Sequence, residues 1–305
     1  MSRGDHERTT QLFYLWLRVL GLATLGHIYL PDYEQSGWLI PRLIGLVGGL
    51  CLILAPLTST RSLSPFHRDL KTPLIGVCLS LAACKVYTIL GHRDVLTQSL
   101  LLTTFYLLGA WGLWRPRSAR YCLRTIVWCV SLTYGLAVLH KLNTDFLYTA
   151  QSCAIHGVEV ALSLFDDGAS SGVIHPYLKS LIAWATAHPT SVASCVLGLE
   201  WSLALLCWRH SRWIWGWGYA FHIPLTLTIA PAFGSVMAAG WSAGSLLGEQ
   251  EYTDRSRVHR RAKLIAQPVI WIAILYGLHG LSPYIGIEVQ HSAAMLSNLR
   301  VDPQC

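Results

Sequence analysis

The stretch that decides the fold is CLRTIVWCVSLTYGLAVLHKL, which runs from Cys122 to Leu142. Between Arg124 and His140 it contains no charged side chain. An α-helix needs about 20 mostly apolar residues to cross the hydrocarbon core of a bilayer, because it rises only about 1.5 Å per residue. The stretch therefore predicts a transmembrane helix that ends on His140 and Lys141.

Similar apolar runs fill the rest of the chain, and by their length they predict eight spans. A shorter run over 233–247 would raise the number of crossings to nine. The predicted spans are Gln11–Leu30, Gly37–Leu57, Pro73–Leu90, Val95–Trp114, Cys122–Leu142, Pro189–Trp208, Trp213–Ala230 and Leu264–Leu281. We therefore predict an all-α fold, a polytopic helical transmembrane bundle of about eight to nine spans. Residues 1–305 are expected to form one transmembrane domain without an additional soluble domain.

The composition agrees with a membrane protein. Hydrophobic residues make up 53% of the chain and charged residues 13%, which is about half the charged fraction of a soluble domain. The 13 Trp and 13 Tyr residues suit the two headgroup regions of a bilayer. The net charge of +7 comes from short loops, whereas a nucleic-acid-binding protein concentrates its basic residues on one face or arm. The expected partner is the lipid bilayer and not nucleic acid.

The distribution of Lys and Arg predicts the orientation, because short basic loops stay on the cytoplasmic side. With a cytoplasmic N-terminus, the basic loops over 61–71, 115–124, 209–212 and 255–263 all lie inside. The segment 143–188 contains one Lys and lies outside, with an interfacial helix expected over 150–165. We predict a multi-pass protein of a bacterial inner membrane.

Cysteine spacing gives no sign of a metal site. Seven of the nine cysteines lie in or beside apolar runs, where they are expected to be small buried packing residues. No C-x-x-C or Cys/His ligand spacing occurs, so no metal is predicted. Cys153 and Cys305 lie outside the spans, and they either pair or remain free.

Several ionisable side chains lie within the predicted spans, where a charge costs at least a few kcal/mol. Lys85 and Glu200 are deep and of opposite sign, so they either form an ion pair between helices or take part in chemistry. His222, near the middle of its span, is either a chemical residue or a hydrogen-bonded core histidine. Arg18 is closer to a span end and could extend to the headgroups.

A second group of basic residues lies close to the predicted outer ends of three spans. The group contains His27, His140, Lys141 and His279. Each could be an interfacial residue, but together they suggest a shared polar cavity that opens outward. With such a cavity, the side chains expected to bind a cofactor are His27, Lys85, Glu200 and His279.

The run AVLHKLNTDF over 137–146 resembles the Lys-Leu-containing helix end of the HTTM (horizontally transferred transmembrane) superfamily, which includes vitamin K-dependent γ-glutamyl carboxylase. Arg18 within LRVLG and His222 within the pair Phe221-His222 are similar to residues of other HTTM spans. The segments SPYIG over 282–286 and MLSNLR over 295–300 resemble the end of short bacterial HTTM proteins. These segments occur in the HTTM order and extend over nearly the whole chain.

The resemblance implies a carboxylase-like lyase that uses a reduced quinone of the vitamin K type. Lys141 would be the base, His222 would stabilise a developing charge, and the neighbouring His140 would have a supporting catalytic role. Apolar surroundings disfavour the ammonium form of a lysine, as a base requires. The carboxylase has a large lumenal part that binds its protein substrate, and this chain does not contain it. Carboxylation of glutamate in a tethered protein substrate is therefore not expected. The expected activity is a quinol-dependent reaction on another substrate.

A second interpretation is a membrane maturation or immunity factor for a secreted peptide, without catalysis. Some short HTTM relatives act with small secreted peptides, and the segment 143–188 could hold one. A secreted peptide or protein substrate is then the expected partner. A transporter or a purely structural partner is a third interpretation, but the interrupted short helices typical of transporters are not evident in the sequence.

Overall fold

The structure is a computed structural model that describes residues 3–29, 39–55, 65–91, 96–142, 147, 174–208, 213–228, 231–253 and 268–281. These residues form ten α-helices and no strand. The helices are α1 (Arg3–Tyr29), α2 (Leu39–Ile53), α3 (Pro65–Gly91), α4 (Leu96–Trp114), α5 (Ala119–Lys141), α6 (Ile174–Ala187), α7 (Pro189–Trp208), α8 (Ile214–Thr228), α9 (Pro231–Thr253) and α10 (Pro268–Gly280), with a short 3-10 turn (Pro116–Ser118) before α5. The predicted all-α class is confirmed.

Three helices are long and apolar enough to cross a membrane. Their apolar windows are Leu70–Tyr87, Pro116–Lys141 and Pro189–Cys207. Three further apolar helices are shorter, over Ile40–Ile53, Ser99–Trp114 and Val269–Gly280. The structure thus supports a helical membrane protein with three candidate spans, while the number of eight to nine spans remains a prediction. The short run over 233–247 belongs to α9, a helix of 23 residues.

Helix α5 lies at the centre of the bundle. It packs against α7, α9, α10 and α4, and its buried residues are distributed all around the helix. A helix that is apolar on every side is expected in such a central position. In contrast, α2 exposes a row of large apolar side chains, of which Ile40 is 70% exposed and Val47 58% exposed. Apolar side chains of this kind on the outer surface suit contact with lipid.

Hydrogen bonds between side chains and neighbouring helices fix the packing. The Oγ of Ser131 on α5 donates to the carbonyl of Ala204 on α7 at 2.8 Å. The hydroxyls of Thr133 on α5 and Tyr276 on α10 are 2.8 Å apart. Small polar residues that bridge helices in this way are typical of transmembrane bundles.

Arg18 has a defined contact within the protein. Its Nε donates to the carbonyl of Ala55, just beyond the end of α2, at 2.8 Å. Carbonyls at a helix C-terminus have no partner within their own helix, so a cation suits this position. Arg18 therefore joins α1 to the end of α2.

The cysteine prediction is correct for the centre of the bundle and wrong at its surface. Cys78, Cys122, Cys129 and Cys207 are buried, but Cys195 is exposed. An apolar helix has a lipid-facing side as well as a core-facing side, and hydrophobicity alone does not distinguish them. Cys153, Cys305 and the interfacial helix predicted over 150–165 lie outside the described residues.

Candidate functional site: a buried polar cluster between four helices

Helix α5 directs two polar side chains to the same side of the bundle. Tyr134 and Lys141 are separated by seven residues, or about two helical turns, so they lie on one face of the helix. Both are buried. Lys141 is the last residue of α5, and the following residue, Leu142, still donates its N–H to the carbonyl of Val138 at 3.1 Å. The negative end of the helix dipole stabilises a cation in this last turn.

Lys141 forms an ion pair with Glu200 of α7. The Nζ of Lys141 contacts Oε1 of Glu200, and the two side chains are only 3% and 2% exposed. The predicted pair of Lys85 with Glu200 is therefore wrong. Helix α3, which carries Lys85, packs against α4 and α2, whereas α7 packs against α5. Depth along a span can be estimated from sequence, but the neighbour of each helix depends on tertiary packing.

A hydrogen-bonded chain of aromatic residues forms the second half of the site. The hydroxyl of Tyr134 lies 2.7 Å from Nε2 of His222 on α8. Nε1 of Trp241 on α9 donates to the same hydroxyl at 3.1 Å. The His222 ring is 4.9 Å from the Trp241 ring and 4.8 Å from the ring of Phe221, measured between centroids. His222 is thus a hydrogen-bonded residue in an aromatic environment.

The ion pair and the aromatic chain are close neighbours. Lys141 lies within electrostatic range of His222, and Glu200 lies within electrostatic range of Tyr134. We refer to five buried side chains from α5, α7, α8 and α9 as the polar cluster: Tyr134, Lys141, Glu200, His222 and Trp241. The cluster combines a proton-accepting pair, a hydroxyl and an imidazole within one apolar environment.

One oxygen of Glu200 is available for a further hydrogen bond. Oε1 contacts Lys141, but Oε2 is buried and accepts no hydrogen bond from any residue that the structure describes. A buried polar atom without a partner costs about 1–3 kcal/mol. Oε2 therefore favours a donor beside it, such as a proton, a water molecule or a ligand hydroxyl.

The other predicted site residues lie on other parts of the bundle. Nε2 of His140 is 3.0 Å from the carbonyl of Gly280, which joins α5 to α10. His27 is buried in α1, Lys85 is half-buried in α3, and His279 is half-buried near the end of α10. The structure thus brings together Lys141, Glu200 and His222 from the predicted set. Among the described residues, no group of three or more His, Cys, Asp or Glu side chains could hold a metal ion.

Two members of the polar cluster were not predicted from the sequence. Tyr134 could have been found, because its spacing from Lys141 places both on one face of α5. Trp241 has no comparable local signal, because its role depends on the contact of α9 with α8. Gly218 permits that contact, since a Cβ at this position would lie 2.7 Å from the Trp241 ring.

The segment considered as a peptide-binding surface is described only in part. Within 143–188 the structure describes residue 147 and residues 174–188, which include α6. Helix α6 packs against α7, and its Ala185 belongs to an apolar cluster that also contains Val138 of α5.

Comparison of the chain with protein-family models, with curated proteins and with solved structures finds no match.

Proposed function

We propose that this chain is a membrane enzyme that binds a reduced quinone at the polar cluster and uses Lys141 as the base. The observation that carries the proposal is the buried Lys141–Glu200 pair beside the hydrogen bond between Tyr134 and His222. The resemblance of residues 137–146 to an HTTM helix end supports the same role for Lys141. A carboxylase-like lyase activity is the reaction class that this resemblance implies.

Glu200 explains how Lys141 can act as a base. Burial of an ammonium and a carboxylate costs several kcal/mol for each ion. Transfer of one proton from Lys141 to Glu200 removes both charges and leaves a neutral amine beside a neutral acid. The amine then has a lone pair that can accept a proton, which an ammonium lacks. We therefore assign to Glu200 the role of accepting the proton that leaves Lys141.

The residues of the polar cluster fit a reduced quinone. Oε2 of Glu200 has no donor among the described residues, and a phenolic hydroxyl is such a donor. The aromatic rings of Tyr134, Phe221 and Trp241 pack around His222, so a ligand beside His222 would have aromatic surroundings, which suit a flat aromatic ring. When bound, a reduced quinone supplies acidic hydroxyls and two reducing electrons.

The reaction step assigned to this chain is a proton transfer. The O–H bond of the bound hydroxyl breaks, and a new N–H bond forms at Nζ of Lys141. The ammonium that results stabilises the negative charge left on the oxygen, because the two lie together in an environment of low polarity. His222, which lies within electrostatic range of Lys141, is assigned to the same stabilisation.

The test is consumption of reduced phylloquinone by the purified protein in lipid nanodiscs under air. We expect the wild type to consume the quinol faster than empty nanodiscs do. Lys141→Arg keeps a positive charge but cannot supply a neutral amine, so its rate should fall about a hundredfold or more. Lys85→Arg is the matched control, since Lys85 lies outside the polar cluster, and it should retain the wild-type rate.

Two results would contradict the proposal. One is a wild-type rate no higher than that of empty nanodiscs. The other is full activity in correctly folded Lys141→Arg and Lys141→Ala variants, because neither can replace a lysine base. The maturation or immunity role remains a prediction, since no contact of the described residues within 143–188 specifically favours it.

A further inference from the structure

We infer that Tyr134 is a positioning residue that holds His222 as a neutral imidazole with its proton on Nδ1, and that Trp241 orients the Tyr134 hydroxyl for this task. The inference deepens the proposed function, because it assigns the chemical role of His222 at the same site. The tautomer itself can be measured without any quinol. Its basis is the direction of two buried hydrogen bonds.

The direction of the first hydrogen bond is fixed by the chemistry of tryptophan. An indole nitrogen donates a proton and cannot accept one. In the contact at 3.1 Å, Trp241 is therefore the donor and the Tyr134 oxygen is the acceptor. The Tyr134 hydroxyl hydrogen must then point away from Trp241.

The second hydrogen bond follows from the first. Among the residues that the structure describes, the only acceptor within reach of the Tyr134 hydroxyl is Nε2 of His222, at 2.7 Å. If Nε2 carried a proton and donated instead, the Tyr134 hydrogen would have no acceptor among these residues in a fully buried position. A buried donor without an acceptor is costly, so Tyr134 donates to Nε2.

This arrangement fixes the protonation of His222. A neutral imidazole carries one proton, and an Nε2 that accepts a hydrogen bond must leave that proton on Nδ1. The imidazolium form is also excluded, because both of its nitrogens carry protons. The bond from Trp241 polarises the Tyr134 hydroxyl and strengthens its bond to Nε2.

The tautomer separates the roles of the two basic residues. With Nε2 occupied by Tyr134, His222 offers an N–H donor and is a poor proton acceptor. It can therefore stabilise a developing negative charge on a ligand oxygen, as a preorganised donor does in other enzymes. Proton acceptance is left to Lys141.

The test is solid-state nuclear magnetic resonance of the full chain in lipid bilayers, with nitrogen-15 in its histidines. The His222 signals are those that disappear in His222→Gln. We expect a protonated Nδ1 and an unprotonated Nε2 in the wild type. Tyr134→Phe removes the donor, and the proton should then move to Nε2 in a large share of the molecules.

Tyr276→Phe is the matched control. Tyr276 is also a buried tyrosine bonded to α5, through Thr133, and its removal should leave the His222 signals unchanged. A protonated Nε2 in the wild type would overturn the inference, and so would an unchanged spectrum in folded Tyr134→Phe. If Tyr134→Phe does not fold, the wild-type spectrum alone decides. Absence of quinol turnover would contradict the proposed function but would leave the tautomer assignment intact.

Discussion

Lys141 and Lys85 both lie in apolar helices of this protein, but their surroundings are different. Lys141 lies in the seam between α5 and α7, where it is buried and paired with Glu200. Lys85 is half-buried on α3, and its neighbours Val86 and Tyr87 are exposed. The first lysine is enclosed on all sides, whereas the second lies beside the outer surface of the bundle.

The difference shows which of the two lysines needs a polar partner inside the protein. Lys85 is only partly buried, so its long side chain can adopt other rotamers along the outer surface of α3. Lys141 is enclosed and cannot move in this way, so the protonation states of Lys141 and Glu200 must be considered together. The same sequence feature, a lysine in an apolar run, therefore has two physical meanings.

The largest expected effect comes from breaking the enclosed pair. Lys141→Met or Glu200→Met leaves one buried polar group without its hydrogen-bond partner, so each should lower the free energy of unfolding by about 3 kcal/mol. The double variant has an apolar interface between α5 and α7 and should be close to the wild type in stability. Lys85→Met should change stability by less than about 1 kcal/mol. Denaturation in detergent measures all four, and additive losses in the double variant would show that the pair does not interact.

A medium effect is expected where α8 approaches Trp241. Gly218→Ala places a Cβ 2.7 Å from the Trp241 ring and should cost about 1–3 kcal/mol through overpacking. Gly216→Ala is the control on the same helix, because a Cβ at that position would meet no neighbouring side chain of the described residues within 4 Å. That variant should gain up to about 1 kcal/mol from better helix propensity. Equal thermal stability of the two variants would contradict the described packing of α8 on α9.

The smallest expected change in stability comes from removing a single hydroxyl group. Thr133→Val removes the hydrogen bond to Tyr276 on α10, with an expected loss of about 1 kcal/mol. Thr103 is the matched control, because its hydroxyl donates to the carbonyl of Ser99 within the same helix. Thr103→Val should therefore be less destabilising when the same unfolding measurement is made. An equal loss in both variants would mean that the bond between α5 and α10 contributes nothing.

The helices and most of the ionisable residues could be predicted from the sequence, but the residues with which they pair could not. The apolar run Cys122–Leu142 predicted α5 within three residues at its start and one at its end, because composition alone defines a span. Glu200 was identified as an ionisable residue deep in its span, and Lys141 as a basic residue at the outer end of its span. Their pairing depends on α5 packing against α7, which no local pattern reports. The sequence therefore predicted the charged members of the site and assigned Glu200 to the wrong lysine.

The aromatic residues of the polar cluster show the same limit of prediction from the sequence. His222 was predicted as a site residue, but its partner Tyr134 was interpreted only as part of an apolar span. A tyrosine in such a span is a common packing residue, and its role depends on which helix faces its hydroxyl. Trp241 became part of the site through the close approach of α8 and α9 at Gly218.

The charge state of Glu200 tests the central claim most directly, because the proposed base is a Lys141 whose proton has moved to that carboxyl. Infrared difference spectroscopy of the wild type and Glu200→Gln in lipid nanodiscs measures it. The account predicts a carbonyl band of a protonated carboxylic acid in the wild type that disappears in Glu200→Gln. A carboxylate band at Glu200, with no protonated acid, would contradict the assignment of Lys141 as a neutral base.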